Sequence, residues 1–108
     1  MANNNGGYGI VAQDGLVTGS TARGNALIGI MVENADYGSV VDSNALGNGG
    51  DGIVSSGNVI SSTAIDNGDR GIVLSCPVSA FGNRAINNPG GNLVPSDSTC
   101  VLLDNKAP

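Results

Sequence analysis

The sequence has few of the side chains on which most enzymes and nucleic-acid-binding proteins depend. It contains no His, no Trp, two Tyr and one Phe among 108 residues. Without His, a Ser or Cys nucleophile has no imidazole to act as its base. Four cationic residues are outnumbered by nine acidic ones, which gives a net charge of −5 and leaves no basic stripe along the chain. The composition therefore disfavours hydrolytic triads and nucleic-acid partners.

Long apolar segments are also missing. No run approaches the roughly 20 apolar residues of a membrane-spanning helix. Residues 1–5 have neither the basic nor the apolar region of a signal peptide, and we expect no membrane partner. The length suffices for a thin continuous core, so a single domain over residues 1–108 is predicted.

Glycine and asparagine are abundant, and they recur with a period near 20 residues. A Gly that precedes an apolar pair marks each coil, and in the last coil an Asn takes its place. An Asn stands four residues before every such landmark, and an Ala stands three residues before that Asn. The landmarks are Gly9, Gly29, Gly52, Gly71 and Asn92, the asparagines are Asn5, Asn25, Asn48, Asn67 and Asn88, and the alanines are Ala2, Ala22, Ala45, Ala64 and Ala85.

This register is typical of stacked β-coils, in which each turn of the chain lies about 4.8 Å above the last and equivalent side chains form columns. The residue after each landmark, such as Ile30, should point into the core, as should the Ala column. The Asn column should occupy a corner with a left-handed backbone, where each amide can hydrogen-bond to the next. Length varies only before the second apolar strand, which begins at Val17, Val40, Val59 and Ala80.

An antiparallel meander or sandwich is the alternative all-β interpretation. It takes Asn5-Gly6, Asn48-Gly49 and Asn67-Gly68 as type I′ hairpin turns. Hairpins, however, do not require the same residue at the same offset in every repeat. The sequence therefore favours an all-β parallel solenoid of about four to five short coils.

Alternation along the strands predicts two apolar stripes on the outside of the stack. Contiguous exposed apolar surface usually marks an interface, so a homo-oligomer is expected, assembled face-to-face or end-to-end. In the alternative, the alternation slips at a corner and one stripe is buried. The predicted interface residues are Val11, Met31, Val54, Val73 and Val94 in one stripe and Leu46, Ile65 and Ile86 in the other, with Arg23 at the N-terminal end of the second.

The two ends of the stack differ in sequence. The chain begins within an incomplete coil behind a thin polar cap, which suggests a piece of a longer solenoid, or a very short natural one, with an open N-terminal edge. At the other end, Pro95 and the irregular residues 104–108 indicate a closed cap. Cys76 and Cys100 are expected either to form a disulfide that clamps this end, as in small extracellular domains, or to be two separately buried thiols.

No two acidic residues share a column, so neither a calcium site nor a pair of carboxylates for sugar hydrolysis is predicted. Asp51 aligns with Arg70 one coil on, which predicts a surface salt bridge of small energetic value. Glu33 and Asp36 leave a weak cation site as an alternative to a solvated loop. Tyr37 is the one loop aromatic that could stack on a sugar. We expect no catalytic residues, no resident metal and no cofactor.

The segment 17–25, followed by Gly29-Ile30 and echoed by residues 48–53, resembles the right-handed parallel β-helix repeat family, the pectin-lyase-like superfamily in its broad sense. The resemblance covers nearly the whole chain, and residues 76–108 are similar to the C-terminal ends of secreted bacterial members. It implies a right-handed solenoid and an extracellular or cell-surface location. Because this family hosts lyases, hydrolases, tail spikes and adhesins, the resemblance implies no particular activity.

Two classes of function remain. The first is a non-catalytic structural module that assembles with copies of itself. The second is a polysaccharide-binding or accessory segment of a glycan-processing protein, whose catalytic acids would come from coils outside these residues.

Overall fold

The computed structural model describes residues 1–33 and 38–108. All regular structure in these ranges is β, and fifteen short strands form three parallel sheets of five strands each. The chain visits the sheets in a fixed order, here named A, B and C, so every coil contributes one strand to each sheet. The predicted parallel solenoid is confirmed, and the hairpin alternative is wrong because the paired strands are parallel.

The three sheets have the following members. Sheet A contains β1 (Ala2–Asn3), β4 (Thr21–Arg23), β7 (Asn44–Leu46), β10 (Thr63–Ile65) and β13 (Arg84–Ile86). Sheet B contains β2 (Ile10–Gln13), β5 (Ile30–Glu33), β8 (Ile53–Ser55), β11 (Ile72–Leu74) and β14 (Leu93–Pro95). Sheet C contains β3 (Leu16–Thr18), β6 (Ser39–Val41), β9 (Asn58–Ile60), β12 (Ser79–Phe81) and β15 (Val101–Leu103).

The core is a thin column of small and branched side chains that point inward from the three sheets. Pairing places Ala above Ala in sheet A and Ile above Ile in sheet B, as the repeat predicted. The spacing from sheet A to sheet B is constant, as from Ala22 to Ile30, whereas the turn from B to C varies in length. The buried apolar residues are Val17, Ala22, Ile30, Val32, Val40, Ala45, Ile53, Val59, Ala64, Ile72, Leu74, Ala80 and Ala85.

Left-handed residues turn the two corners beside sheet A. One follows each strand of sheet A and one follows each strand of sheet C, with φ between 49 and 64°. Gly, Asn and Asp adopt this conformation at the least cost, and they fill nine of these ten positions. The expectation that the ladder asparagines are left-handed is wrong, because the turn is made one residue earlier. The left-handed residues are Asn4, Gly24, Gly47, Asp66 and Asn87 after sheet A and Gly19, Asp42, Ser61, Gly82 and Asp104 after sheet C.

The five asparagines form a continuous hydrogen-bonded ladder at the corner between sheets A and B. Each Nδ2 donates to the Oδ1 of the Asn in the next coil at 2.9–3.0 Å. The backbone N–H of the same residue donates to the same oxygen at 3.0 Å. Asn25, Asn48 and Asn67 are only 2% exposed. Since a buried polar group without a partner costs about 1–3 kcal/mol, the ladder holds neighbouring coils in one register.

The ladder also explains the Gly at the landmark position. A Cβ on Gly29 would lie 2.5 Å from Nδ2 of Asn48, and a Cβ on Gly52 would lie 2.6 Å from Nδ2 of Asn67. A side chain therefore does not fit at the landmark position of a coil when the ladder amide of the next coil lies against it. Asn92 holds the landmark position of the last coil, and its side chain fills the place of a sixth ladder amide.

A second polar ladder, not predicted from the sequence, follows the corner between sheets C and A. The N–H of Ser20 donates to Oγ of Ser43, and the N–H of Ser43 donates to Oγ of Ser62, both at 3.2 Å. The N–H of Ser62 then donates to Oδ1 of Asn83 at 2.9 Å. Asn83 in turn donates its N–H and its Nδ2 to Oδ1 of Asn105 at 3.0 and 2.9 Å. The sequence does contain a signal for this second ladder, because a Ser or Asn stands two residues before each alanine of the column from Ala22 onward.

The C-terminal cap is confirmed for sheet A, and in sheet B a proline lies at the outer edge. Lys106 pairs with Arg84 as the start of a sixth rung of sheet A, and Ala107 packs against the core. In sheet B, the N–H of Ser96 donates to the carbonyl of Leu74 at 2.9 Å, so the preceding residue faces away from β11. That residue is Pro95, which has no N–H to offer a further strand.

Sheet C does not fit the predicted closed end. Leu102 pairs with Ala80 and belongs to the inward column of Val40 and Val59, which are fully buried. Leu102 itself is 40% exposed, and its neighbours Val101 and Leu103 are 49% and 53% exposed. Among the described residues none covers β15, so the predicted closed C-terminal end does not extend over sheet C.

Candidate functional surfaces

An apolar stripe runs along the outer face of sheet B through all five coils. Its side chains alternate with the fully buried Ile30, Ile53 and Ile72, so no corner slip occurs and the predicted orientation is confirmed. The stripe residues pair in register with one another. They are Val11, which is half exposed, and the partly buried Met31, Val54, Val73 and Val94.

Sheets A and C carry shorter apolar stripes. The second predicted stripe, Leu46, Ile65 and Ile86, is partly exposed on sheet A, with the exposed Arg23 in the rung before it. Sheet C has a third stripe that was not predicted, although the same alternation applied to this strand would have revealed it. It consists of Val41, Ile60, Phe81 and Leu103.

A shallow groove of about 380 Å³ follows the corner between sheets A and B across four rungs. We call it the corner groove. It exists because Gly24 and Gly47 hold left-handed positions without a side chain, whereas Asn4 and Asp66 hold the equivalent positions at its two ends. Arg23, Leu46 and Ile65 form the sides of the groove. The last two are apolar, and Arg23 adds one positive charge.

The predicted pair of Asp51 and Arg70 is present. Oδ1 of Asp51 accepts from Nε of Arg70 at 3.0 Å and from its backbone N–H at 2.9 Å, and Oδ2 accepts from Nη2 at 2.9 Å. The hydrogen bonds from the guanidinium to Asp51 raise the pKa of Arg70. The pair is less superficial than predicted, since Asp51 is only 7% exposed while the Arg70 side chain is 40% exposed. Its role is to tie two neighbouring coils at the corner.

The suggested cation site and sugar contact both involve the loop after β5. Within residues 1–33 and 38–108, no three acidic or cysteine side chains come together as a metal site would require. Asp36 of the suggested cation site and Tyr37 of the suggested sugar contact lie outside the described residues. Glu33 lies at the end of β5 beside a shallow depression that Met31 and Ser56 also line.

Cys76 and Cys100 form a disulfide with 5.1 Å between their Cα atoms. The bridge ties the turn after β11 to the residue before β15, so it clamps the last two coils together. The predicted disulfide is confirmed, and the alternative of two free thiols is wrong.

The turn that leads to Cys100 contains an exposed acidic residue with a local hydrogen-bond network. Asp97 accepts from the hydroxyl of Thr99 and from its backbone N–H, the latter at 2.8 Å. These bonds favour the ionised carboxylate and lower the pKa of Asp97, with the hydroxyl making the larger contribution. The side chain thus carries its negative charge at the C-terminal end of the solenoid.

Comparison with protein-family models agrees with this architecture. The structure has no helix, among the residues it describes, that is long and apolar enough to cross a membrane. A family model described as the right handed beta helix region matches residues 2–107. Comparison with curated proteins and with solved structures gave no match. Since the family match covers nearly the whole chain, the chain belongs to the right-handed β-helix family.

Proposed function

We propose that this chain is a non-catalytic structural module that associates with copies of itself outside the cell. The observation that carries the proposal is the apolar stripe of sheet B, which crosses all five coils on the outer face. Burial of apolar area contributes roughly 25 cal/mol per Å². An outward column of Val and Met through all five coils is therefore best explained as a contact surface.

The regular spacing of the stripe suits a partner with the same repeat. Side chains in the sheet B stripe recur at the strand spacing of about 4.8 Å, so a second copy presents apolar side chains at the same interval. Stripes on sheets A and C offer further apolar contacts with the same spacing. A second copy of the chain is therefore the partner that fits best.

The disulfide supports an extracellular location. Disulfides form and persist mainly in oxidising compartments, whereas cytosolic thiols are kept reduced. The Cys76–Cys100 bridge of this chain closes a loop at the solenoid end, where it limits fraying of the last coil. A structural role outside the cell would benefit from this clamp.

Sedimentation velocity over a concentration series, with and without reductant, tests self-association. We expect oligomers that grow with concentration, and weaker association for Val54→Lys/Val73→Lys, which places two charges in the middle of the sheet B stripe. Thr21→Lys/Thr63→Lys, with the same charge change on the outer face of sheet A, is the matched control and should associate like the native chain. A native chain that stays monomeric at every concentration would overturn the proposal.

A polysaccharide-binding segment is the second candidate, and the corner groove favours it. The groove follows the solenoid axis for three strand spacings, or roughly 14 Å, and it offers the Arg23 guanidinium beside polar groups of Asn4 and Asp66. These groups can hydrogen-bond to hydroxyl or carboxylate groups of an extended glycan. A glycan-array screen of the native chain and of Arg23→Ser tests this. Glycan binding that Arg23→Ser abolishes, in a monomeric chain, would favour this second function over the first.

A further inference from the structure

Three of the five ladder asparagines are followed directly by Gly, and two of these pairs lie in the interior of the stack, namely Asn48-Gly49 and Asn67-Gly68. Packing explains both glycines. A Cβ on Gly49 would collide with the carbonyl oxygen of Ala26, and a Cβ on Gly68 would collide with the carbonyl oxygen of Gly49. The closely stacked turns therefore place glycine immediately after the ladder amide.

The same dipeptide has a chemical weakness. Because glycine has no Cβ, its backbone nitrogen can reach the side-chain amide of the preceding Asn without steric hindrance. The glycine nitrogen attacks Cγ and loses its proton, a new C–N bond closes a cyclic imide, and the bond from Cγ to Nδ2 breaks. Nδ2 leaves as ammonia with that proton. One water then opens the imide to aspartate or isoaspartate, so the reaction needs no reagent other than water.

The folded ladder occupies both reacting groups. The N–H of Gly49 donates to the carbonyl of Asn25 at 2.8 Å, and the N–H of Gly68 donates to the carbonyl of Asn48 at 2.7 Å. Nδ2 of Asn48 donates to Oδ1 of Asn67 at 2.9 Å, and both of these asparagines are only 2% exposed. The nucleophile thus keeps its proton and the leaving amide is shielded from water, so the reaction requires the coils to open.

We infer that Asn48 and Asn67 are deamidation sites that the folded ladder keeps inert and that opening of the coils makes reactive. This inference goes beyond the proposed self-association and does not depend on it. Since the change is covalent, an opening that ends in reaction is not reversed when the chain closes again.

The aspartate product does not fit the closed ladder. Nδ2 of Asn67 donates to Oδ1 of Asn88 at 3.0 Å and to the carbonyl of Ala45 at 3.1 Å. In the product, a carboxylate oxygen without a proton would face these two acceptors at a buried position. Isoaspartate would also lengthen the backbone, although the spacing from sheet A to sheet B is the same in every coil. A deamidated chain therefore cannot re-form the ladder at that coil.

Two other ladder positions provide internal controls. Asn88 precedes Pro89, whose nitrogen carries no hydrogen, so this pair cannot form the imide. Asn25 precedes Ala26, whose Cβ hinders the attack. In an unfolded chain, Asn48 and Asn67 should therefore react fastest, Asn25 slowly and Asn88 not at all.

The experiment incubates the native chain and the chain unfolded in guanidinium chloride at the same mildly alkaline pH, with the disulfide intact in both. Peptide mass spectrometry then follows deamidation at each ladder asparagine. We expect Asn48 and Asn67 to react at least about tenfold more slowly in the folded chain, and Asn88 to remain unmodified in both samples. Equal rates in the folded and unfolded chains would overturn the inference, as would an absence of reaction at Asn48 and Asn67 in the unfolded chain.

The Asn67→Asp variant tests the misfit of the product, because it contains the aspartate from the start. Asn3→Asp, with the same charge change at an exposed position of β1, is the matched control. We expect the guanidinium midpoint to fall strongly for Asn67→Asp, or the chain not to fold, while Asn3→Asp unfolds like the native chain. If Asn67→Asp keeps the native midpoint, the ladder accepts a carboxylate and the inferred loss of the closed ladder is wrong.

Discussion

Asn92 and Asn88, four residues apart in the same turn, make the contact that elsewhere in the ladder joins two coils. Oδ1 of Asn92 accepts from Nδ2 of Asn88 at 3.0 Å and from its backbone N–H at 3.1 Å. Its own Nδ2 donates to the carbonyl of Pro108. The last amide of the ladder is therefore satisfied by a side chain that stands where Gly stands in the other coils.

Replacing Asn92 tests this end contact. Asn92→Ala leaves the backbone N–H of Asn88 without its acceptor and removes one of the acceptors of its Nδ2, which still donates to the carbonyl of Ala64. We expect a loss of about 1–3 kcal/mol in the free energy of unfolding. Native-state hydrogen exchange should show faster exchange at the N–H of Asn88. Asn92→Asp keeps an oxygen in place and is the control, since it should retain most of the protection of that N–H. Equal exchange in Asn92→Ala and the native chain would contradict the prediction.

Asn67 lies in the middle of the ladder, and its removal should cost more. Asn67→Ala removes the acceptor of both Asn48 donors and the donor to Oδ1 of Asn88. We expect urea denaturation, followed by circular dichroism, to show a loss of roughly 3–5 kcal/mol. Asn3→Ala, at an exposed position of β1, should lower the free energy of unfolding by less than about 0.5 kcal/mol. Similar losses for the two variants would show that the ladder contributes little to stability.

Gly52 should not accept a side chain. Its φ is not left-handed, so the obstacle is space: a Cβ would lie 2.6 Å from Nδ2 of Asn67 and 2.7 Å from the carbonyl oxygen of Gly71. Gly52→Ala is expected to destabilise the chain by about 3 kcal/mol in thermal or urea unfolding. Gly7→Ala, where no atom lies within 4 Å of the added Cβ, is the control and should change stability little. A tolerated Gly52→Ala would mean that the coils can separate without loss.

Reduction of the disulfide should loosen the C-terminal coil. The Cys76–Cys100 bridge closes a loop with a sequence separation of 24 residues, for which the chain-entropy model gives about 3.5 kcal/mol. We expect the urea midpoint of the native chain to fall on addition of reductant. The Cys76→Ser/Cys100→Ser variant should show the lower midpoint with or without reductant. A reductant effect that persists in this variant would assign the change to another cause.

Asp97 should titrate at a lower pH than an ordinary aspartate. The Thr99 hydroxyl holds its carboxylate in the ionised form, so Thr99→Val should raise the pKa of Asp97 while Thr99→Ser should preserve it. Because the folded pKa is lowered, this contribution to stability is present above the usual aspartate pKa and is lost as pH falls through the lowered value. A pH titration followed by NMR of the Asp97 side chain measures this, and an unchanged pKa in Thr99→Val would contradict the assignment.

The columns could be predicted because stacking forces the same chemistry at the same height in every coil. Asn25, Ala22 and Ile30 repeat with fixed offsets, and those offsets give both the inward direction and the ladder. The second ladder was missed because Ser43 and Asn83 fulfil one hydrogen-bonding role with different side chains, so residue identity does not repeat. The common property there is an oxygen that can accept from a backbone N–H.

Features that depend on neighbouring coils were harder to predict. Leu102 is exposed because no described residue lies over it. Its residue type gives no sign of this, since an apolar residue is also what the buried column of Val40 and Val59 contains. The left-handed residue could have been placed at Asp66 or Gly47 by its tolerance of positive φ, but Asn67 and Asn48 tolerate it as well. Only the inward direction of the ladder amide distinguishes the two positions.

The asparagine ladder also polarises the solenoid. Three ladder amides each accept from the coil before and donate to the coil after, so the amide dipoles add along the axis instead of cancelling; they are Asn25, Asn48 and Asn67. The negative end of this row is Oδ1 of Asn5, which accepts no hydrogen bond from the described residues, and the positive end is quenched by the carbonyl of Pro108. A coil grafted in front of β1 should therefore place a hydrogen-bond donor next to Oδ1 of Asn5, whereas a carboxylate there would be repelled.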